Sequence, residues 1–420
     1  MRRGVWADSG FLRLWAANGI SQLGTQVSLL ALPLAALYVL KASALGVALL
    51  RSFALLPFLL FSLPAGVWID RLRRRPLMIV ADVGRAAAMA SIPVAYWLGD
   101  LSMTQLYVVA GLTGLLSVIF DVSYLSFLPT LVGRERLGEA NAKLLGMQSL
   151  AALAGPTLAG ELVAVVGAPV AVLSDAVSFA FSGAFVAAIR GREEKPVPTA
   201  TRARTELMEG LRYVFSQPYL RILTIWISIW NLFSSAVFAL IVVYLVRDLH
   251  LGAATIGWLL AVINAGFIGA ALVNGRLVRR FGIGPMIAYT GIVSSIALVG
   301  IPAAPQSSPL PVLIVTGVLG TFFGFSMNVN QLTLRQTITP HRLLGRMNAV
   351  TRFMYWGTMP LGSALGGVVA QSIGLRETLF VAVAGGTAAS IPILLSPIRS
   401  ATVNADARAA GDGGVAAPAQ

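Results

Sequence analysis

The chain has no cysteine, two histidines and only 17 acidic side chains in 420 residues. Without cysteine there is no disulfide, no thiolate metal site and no thiol nucleophile. His250 and His341 alone do not make an imidazole-rich metal cluster. Lysine occurs only at Lys41, Lys143 and Lys195, and none follows a glycine and precedes Ser or Thr, so the Walker A phosphate loop is missing. Charged residues make up 11% of the chain. That is under half of the roughly 25% usual in soluble domains, too little to clothe a protein of this length in water. No clustered acid/base, metal or nucleophile constellation is visible, so the sequence is not read as an enzyme and no cofactor or metal is expected.

What the sequence has instead is apolar residues, at 57%. A membrane-spanning helix needs about 20 of them. Apolar runs fall near 12–40, 44–69, 77–98, 103–131, 138–166 and 168–190, then near 219–247, 253–278, 284–303, 309–338, 343–372 and 375–397. Runs this long exclude a transmembrane barrel, whose strands are short and alternating. The expectation is an all-α membrane protein with twelve transmembrane helices. Its parts are a six-helix bundle over 1–190, a linker over 191–218, a second six-helix bundle over 219–398 and a disordered tail over 399–420. Met1-Arg2-Arg3 looks like the start of a signal peptide, but the run behind it is as long as a full span and lacks a small-residue cleavage site, so it is read as the retained first helix. Within the linker, Leu207, Met208, Leu211, Val214 and Phe215 recur near helical spacing, which predicts a short solvated helix at the membrane surface.

The net charge is +14, and its placement explains it. With the N-terminus inside, the inner loops hold Arg2, Arg3, Arg71, Arg73, Arg74, Arg75, Arg134, Arg136, Arg192, Lys195, Arg202, Arg204, Arg276, Arg279, Arg280, Arg342 and Arg399. The outer loops hold Lys41, Arg247 and Arg376. This asymmetry predicts an N-in, C-in topology. Charges dealt out loop by loop are not the concentrated basic face that nucleic acid requires, so the expected partners are a lipid bilayer and a small molecule, not nucleic acid.

The two halves repeat each other. Phe11-Leu12-Arg13 returns as Tyr219-Leu220-Arg221; Gly66, Arg71 and Pro76 return as Gly275, Arg280 and Pro285; Asn141-Ala142 returns as Asn348-Ala349; Gly155 and Gly160 return as Gly362 and Gly367. The offset stays at 207 to 209 residues across polar and Gly/Pro landmarks. A parallel repeat of two six-helix bundles points to a substrate path between pseudo-symmetric halves.

Ionisable residues inside spans cost about 2.5–3.5 kcal/mol each on insertion scales, so each is a functional candidate. They are Arg51, Asp82, Arg85, Asp121, Glu161, Asp175 and Arg352. Asp82 and Arg85, one turn apart, are read as structural. Asp121 shares a helix face with Ser117 and Tyr124. Arg51, Glu161 and Asp175 lie roughly 9–12 Å from the outer ends of their spans at 1.5 Å per residue. At that depth they are expected to form a partly neutralised cluster, with one acid left for a proton or a cationic substrate. Polar stripes run along the first span (Asn18, Gln22, Thr25, Gln26), the fourth (Ser117, Asp121, Tyr124), the seventh (Asn231, Ser234, Ser235) and the tenth (Ser326, Asn328, Asn330, Gln331). Phe322, Phe323, Phe325, Tyr355 and Trp356 add aromatic surface. A mixed aromatic and amide lining suits large amphipathic molecules.

The segment Gly66-Val-Trp-Ile-Asp70-Arg71-Leu-Arg-Arg74-Arg75-Pro76 resembles the signature loop of the major facilitator superfamily, with Arg73 standing where the family pattern has a second glycine. Gly133 through Asn141, Gly155-Pro156, Arg335-Gln336 through Thr339-Pro340, Gly345-Arg346 and Asn348 resemble the exporter branch related to macrolide efflux and enterobactin export proteins. The resemblance covers nearly the whole chain. It implies the major facilitator fold, a central cavity lined by helices 1, 4, 7 and 10, and a cytoplasmic gate at Gly66, Asp70, Arg71, Arg74 and Arg75. It also implies an Asp70–Arg74–Asp121 relay, and a helix 5 packing motif at Gly155, Pro156 and Gly160 that marks antiporters. Ala142, Ala151 and Ala159 stand where that motif often has glycine, and Thr25 follows Gly24 where many relatives carry an acid. The expected function is secondary active efflux of an amphipathic drug, antibiotic, natural product or siderophore by proton antiport, as a monomer in the cytoplasmic (inner) membrane. The alternative is a lipid or lysophospholipid transporter, or an importer, on the same fold.

Overall fold

A computed structural model describes residues 5–69, 72–189 and 203–401. Asp70 and Arg71 of the signature loop, the linker residues 190–202 and the tail beyond 401 lie outside the described residues. The described chain is helical. Twelve long helices follow the apolar runs: α1 Ser9–Tyr38, α2 Ala44–Ile69, α3 Arg74–Leu98, α4 Met103–Val132, α5 Leu137–Val166, α6 Ala168–Ala187, α7 Pro218–Arg247, α8 Ala253–Phe281, α9 Ile283–Ala303, α10 Pro309–Ile338, α11 Leu344–Ile373 and α12 Leu375–Leu395. Eleven of them are long and apolar enough to cross a membrane; α11, which carries Arg346 and Arg352 in its first turns, falls short of that measure. Asp8 caps α1, its carboxylate accepting from the Gly10 and Phe11 amides at 2.9 and 3.2 Å, which satisfies two of the donors a helix start leaves open.

The distribution of polarity is that of a membrane bundle. On α3, Val80 and Val83 are 65% and 59% exposed while Asp82 between them is fully buried. Water would reverse this pattern; lipid against the valines and neighbouring helices against the aspartate explain it.

The described residues group into two compact units. One holds Met1–Ala200, Phe238–Val262 and Ser363–Leu375; the other holds Thr201–Val237, Ile263–Gly362 and Arg376–Gln420. In the first unit, α1 packs on α5 and α6, α3 on α4 and α6, and α2 on α4. Arg75 and Arg13 donate to the last carbonyls of α6, Arg75 to Val186 (3.2 Å) and Ala187, Arg13 to Ala188 (2.7 Å), cations placed where the helix dipole is negative. In the second unit, α9 packs on α10. The linker helix Ala203–Ser216 is not a free solvated helix there: one face docks, while Met208 and Arg212 stay exposed. Val214 is fully buried in the core of that unit, Leu207 and Leu211 pack beside it, and Glu209 pairs with Arg346 at 2.6 Å. The chain also stays packed past the expected start of the tail: Pro397–Ser400 forms a 3-10 turn, and Ile398 and Ala401 close on Gly284 of α9.

The sequence repeat reappears as matched close approaches. A Cβ at Gly155 of α5 would meet Gln26 of α1 at 2.4 Å, and one at Gly362 of α11 would meet the Leu232 carbonyl of α7 at 1.9 Å. A Cβ at Gly160 would meet Ala253 O at 2.6 Å and Gly257 Cα at 2.9 Å on α8; one at Gly367 would meet Ala48 Cβ at 2.7 Å and Leu45 Cα at 3.1 Å on α2. At the offset of 209 seen at Gly66 and Gly275, Ala48 is the repeat partner of Gly257, and Leu45 that of Ala254, next to Ala253. These crossings are therefore backbone-close because both copies kept small residues. Replacing Gly160 with leucine is expected to lower the apparent melting temperature in detergent, at a cost of about 1–3 kcal/mol for overpacking. Gly138→Ala, where a Cβ has no atom within 4 Å, is expected to leave the melting temperature unchanged or raised.

Candidate functional site

A cavity of about 350 Å³ lies inside the first unit. One stripe of α1 faces it: Asn18, Ser21, Gln22, Thr25 and Ser28. Opposite stand Ser117 and Asp121 of α4, Arg51 and Phe58 of α2, Arg85 of α3, Asp175 and Phe179 of α6, and Phe238 of α7. It is a mixed chamber of amides, hydroxyls, phenyl rings and four ionisable groups, within the size range of small-molecule sites.

The charges are handled in different ways. Arg85 pairs with Asp82, one turn earlier on α3. The other Asp82 oxygen accepts from Ser182 of α6 at 2.7 Å, and Arg85 reaches Ser117 at 3.4 Å. Phe120 and Phe179 hold the guanidinium between them, with its carbon 4.5 and 4.2 Å from the ring centres, an arrangement that adds cation–π attraction to the ion pair. Asp82 and Arg85 pair with each other, and Arg85 also walls the cavity. Asp175 is 1% exposed. Its Oδ1 accepts from Ser178 at 3.1 Å; its Oδ2 makes no hydrogen bond of good geometry, with the Ser28 hydroxyl and the Arg85 guanidinium as its polar neighbours. It stands against Gly24 of α1, where a Cβ would come within 2.7 Å of Oδ1. A carboxylate thus stands beside Gly24, delivered from α6. Arg51 has a buried, unpartnered Nε and lies 5.7 Å from the Phe238 ring centre.

The structure brings Arg51, Asp121 and Asp175 to one cavity. It does not bring Glu161 there: Glu161 is exposed on α5, because, as the next residue, it is rotated about 100° around the helix from the buried Gly160. Gln26 packs on Gly155 instead of lining the cavity, and Tyr124 stacks on Phe120 at 6.2 Å. Gly66 is in α2, Arg74 opens α3, and Arg75 caps α6. In the second unit three of the expected lining residues make helix-to-helix bonds. Asn231 donates to the Tyr355 carbonyl at 3.1 Å and Ser235 to that of Met359 at 2.7 Å, while Asn330 exchanges two amide bonds with Asn274 at 2.9 and 3.0 Å. Tyr355 lies under Arg335, Trp356 under Arg352, and Phe323 meets Phe322 edge to face.

Sequence reasoning missed Ser21, Ser28, Phe58, Phe120, Phe179 and Phe238. The helical period would have found the serines: positions 18, 21, 22, 25 and 28 share one face, and 26 does not. The phenylalanines carry no such signal, since a ring facing a cavity and a ring facing lipid look alike in an apolar run.

Twelve long helices built on a parallel repeat, eleven of them apolar enough to span a membrane, with a polar chamber walled by α1, α2, α3, α4, α6 and α7, define a multi-pass membrane transporter of the major facilitator superfamily. The chain belongs to the family described as transmembrane secretion effectors, whose model matches residues 6–412. The multidrug efflux pump Tap of Mycobacterium tuberculosis (strain ATCC 25618 / H37Rv) is 28% identical over 388 residues, covering 89% of this chain and 90% of that protein. The enterobactin exporter EntS of Citrobacter koseri is 25% identical over 325 residues, covering 74% and 73%. A bacterial homologue of the iron transporter ferroportin in its inward-facing state superposes with a TM-score of 0.73 at 18% identity, over 92% of this chain and 98% of that one. The nucleoside transporter NupG gives 0.73 at 11%, over 92% and 99%. Both structures share the fold.

Asp82→Asn leaves the Arg85 guanidinium buried without its counter-charge and is expected to cost about 3–5 kcal/mol, read as loss of monodisperse protein and a lower melting temperature. Adding Arg85→Gln is expected to restore part of that loss, the coupling that a double-mutant cycle measures.

Proposed function

We propose that the protein exports amphipathic small molecules from the cell by proton antiport. The observation that carries this reading is the chamber itself: amides and hydroxyls on α1, phenyl walls, and the carboxylates of Asp121 and Asp175 inside an apolar bundle. A carboxylate at such depth is costly and retained for a function such as proton exchange. The relatives named as a multidrug efflux pump and an enterobactin exporter support export as the direction and drugs, antibiotics, natural products or siderophores as the substrate classes.

In this reading the chain acts as a monomer in the cytoplasmic membrane, with both termini and the Gly66–Pro76 loop in the cytoplasm, and Asp70, Arg71, Arg74 and Arg75 guarding that side. The two repeats are the moving bodies. At the end remote from the loop, the α5–α8 and α2–α11 glycine crossings and the bond from Arg247 to the Ala42 carbonyl hold helix backbones together. Release on that side requires these contacts to part. Substrate enters from the cytoplasm, and a proton taken up from outside at Asp175 or Asp121 accompanies the return.

Inverted vesicles with an acidic interior test the reading. Wild type is expected to accumulate amphipathic dyes or drugs from a panel when the gradient is imposed, and to stop when it is collapsed. Asp175→Asn is expected to lose the response to the gradient, and Glu161→Gln, on the outside of α5, to keep it. Gradient-independent behaviour of the wild type across the panel would remove the antiport reading.

A further inference from the structure

The four ionisable groups of the cavity do not balance one another evenly. Arg85 is matched by Asp82, and Asp82 in turn by Ser182. Asp121 is engaged by a neighbour. Arg51 is different: it makes no hydrogen bond or ion pair with a described residue, its Nε is buried, and its contact is the face of Phe238. Asp175 keeps one oxygen without a hydrogen bond of good geometry, near the Ser28 hydroxyl and the Arg85 guanidinium but matched by no cation of its own. Both groups line the same chamber, yet they do not pair with each other. A buried cation and a buried carboxylate oxygen left separate in one cavity are each costly, and the two together are complementary to a molecule that carries both signs.

We propose, building on the export reading, that the cavity selects zwitterionic amphipathic molecules, with the anionic group on Arg51, the cationic group on Asp175 and the aromatic body between Phe58, Phe179 and Phe238. A purely cationic compound leaves the Arg51 charge unmatched and repelled. A purely anionic one does the same to Asp175. The selectivity is therefore built from repulsion of singly charged compounds as much as from attraction of the zwitterion. The amides of Asn18 and Gln22 line the same chamber and have both donors and acceptors, so they bias neither sign.

Three dyes on one xanthene–phenyl skeleton test this: rhodamine B, which is zwitterionic; its ethyl ester, which is cationic; and fluorescein, which has the carboxylate without the cationic nitrogens. Binding to the full chain in lipid nanodiscs is read by fluorescence polarisation. Rhodamine B is expected to bind at least about tenfold more tightly than either of the others, ~1.4 kcal/mol. Arg51→Gln is expected to bring rhodamine B down to the affinity of its ester while the ester's own affinity is held or improved. Arg51→Lys, which keeps the charge, is expected to retain most of the preference. Asp175→Asn is expected to remove the advantage over fluorescein. Equal affinities for the three dyes, tighter binding of the ester, no binding of any dye, or an equal loss for all three in both Arg51 variants would each overturn the proposal. Zwitterion-selective binding without gradient-driven movement would instead overturn export and leave the selectivity standing. Gradient-driven export of other compounds with no zwitterion preference would do the reverse.

Discussion

A guanidinium inside an apolar helix bundle has to be matched where it stands, because neither lipid nor a distant charge can solvate it. Arg85 meets that demand with three kinds of neighbour at once: Asp82 on its own helix, Ser117 on α4, and the rings of Phe120 and Phe179 on α4 and α6. Ser182 completes the set through Asp82. Three helices are thus brought to one point by the requirement to satisfy a single ion pair. The same arrangement fixes where α6 runs beside α1, and so where Asp175 stands against Gly24. The cavity is what remains beside this cluster, walled on one side by the satisfied charge and on the others by groups that are not fully satisfied.

The second constraint is steric. Glycine at matched positions of the repeat lets α5 approach α1 and α8, and lets α11 approach α7 and α2, at distances a side chain would forbid. In a membrane, where apolar side chains gain little by leaving lipid for one another, such close packing is a principal source of helix association. Contacts made mainly of backbone and small residues also part without exposing large charged or apolar surfaces. That property suits crossings which, in the proposed cycle, must open and close.

The fold was legible because its determinants are one-dimensional. Run length, loop charge and the offset of 207 to 209 residues are all read along the chain, and the helices follow the runs. The site was legible only on one side. Asn18, Gln22, Thr25, Ser117 and Asp121 share helix faces and do face the cavity. Asn231, Ser235 and Asn330 have the same polar character, yet they bond to Tyr355, Met359 and Asn274. An amide that lines a chamber and an amide that joins two helices are the same letter in a sequence. The linker helix shows the opposite error: its amphipathic pattern fits a surface helix and a docked one equally, and Val214 buried in the second unit decides for docking.

The sequence by itself determined that this is a twelve-helix, twice-repeated membrane protein, because hydrophobicity and periodicity are sums over neighbours along the chain. Only the tertiary structure decided which charges meet. Arg51, Glu161 and Asp175 sit at comparable depths in three different spans, and depth is the coordinate a sequence provides. The rotation of each helix about its axis is set by packing: Gly24 against Asp175 turns that carboxylate inward, and the buried Gly160 face leaves Glu161 outside. Among the described residues, the result is a chamber holding a cation with no hydrogen bond or ion pair and a carboxylate with one oxygen lacking a hydrogen bond of good geometry, a chemistry written in three helices and legible in none of them alone.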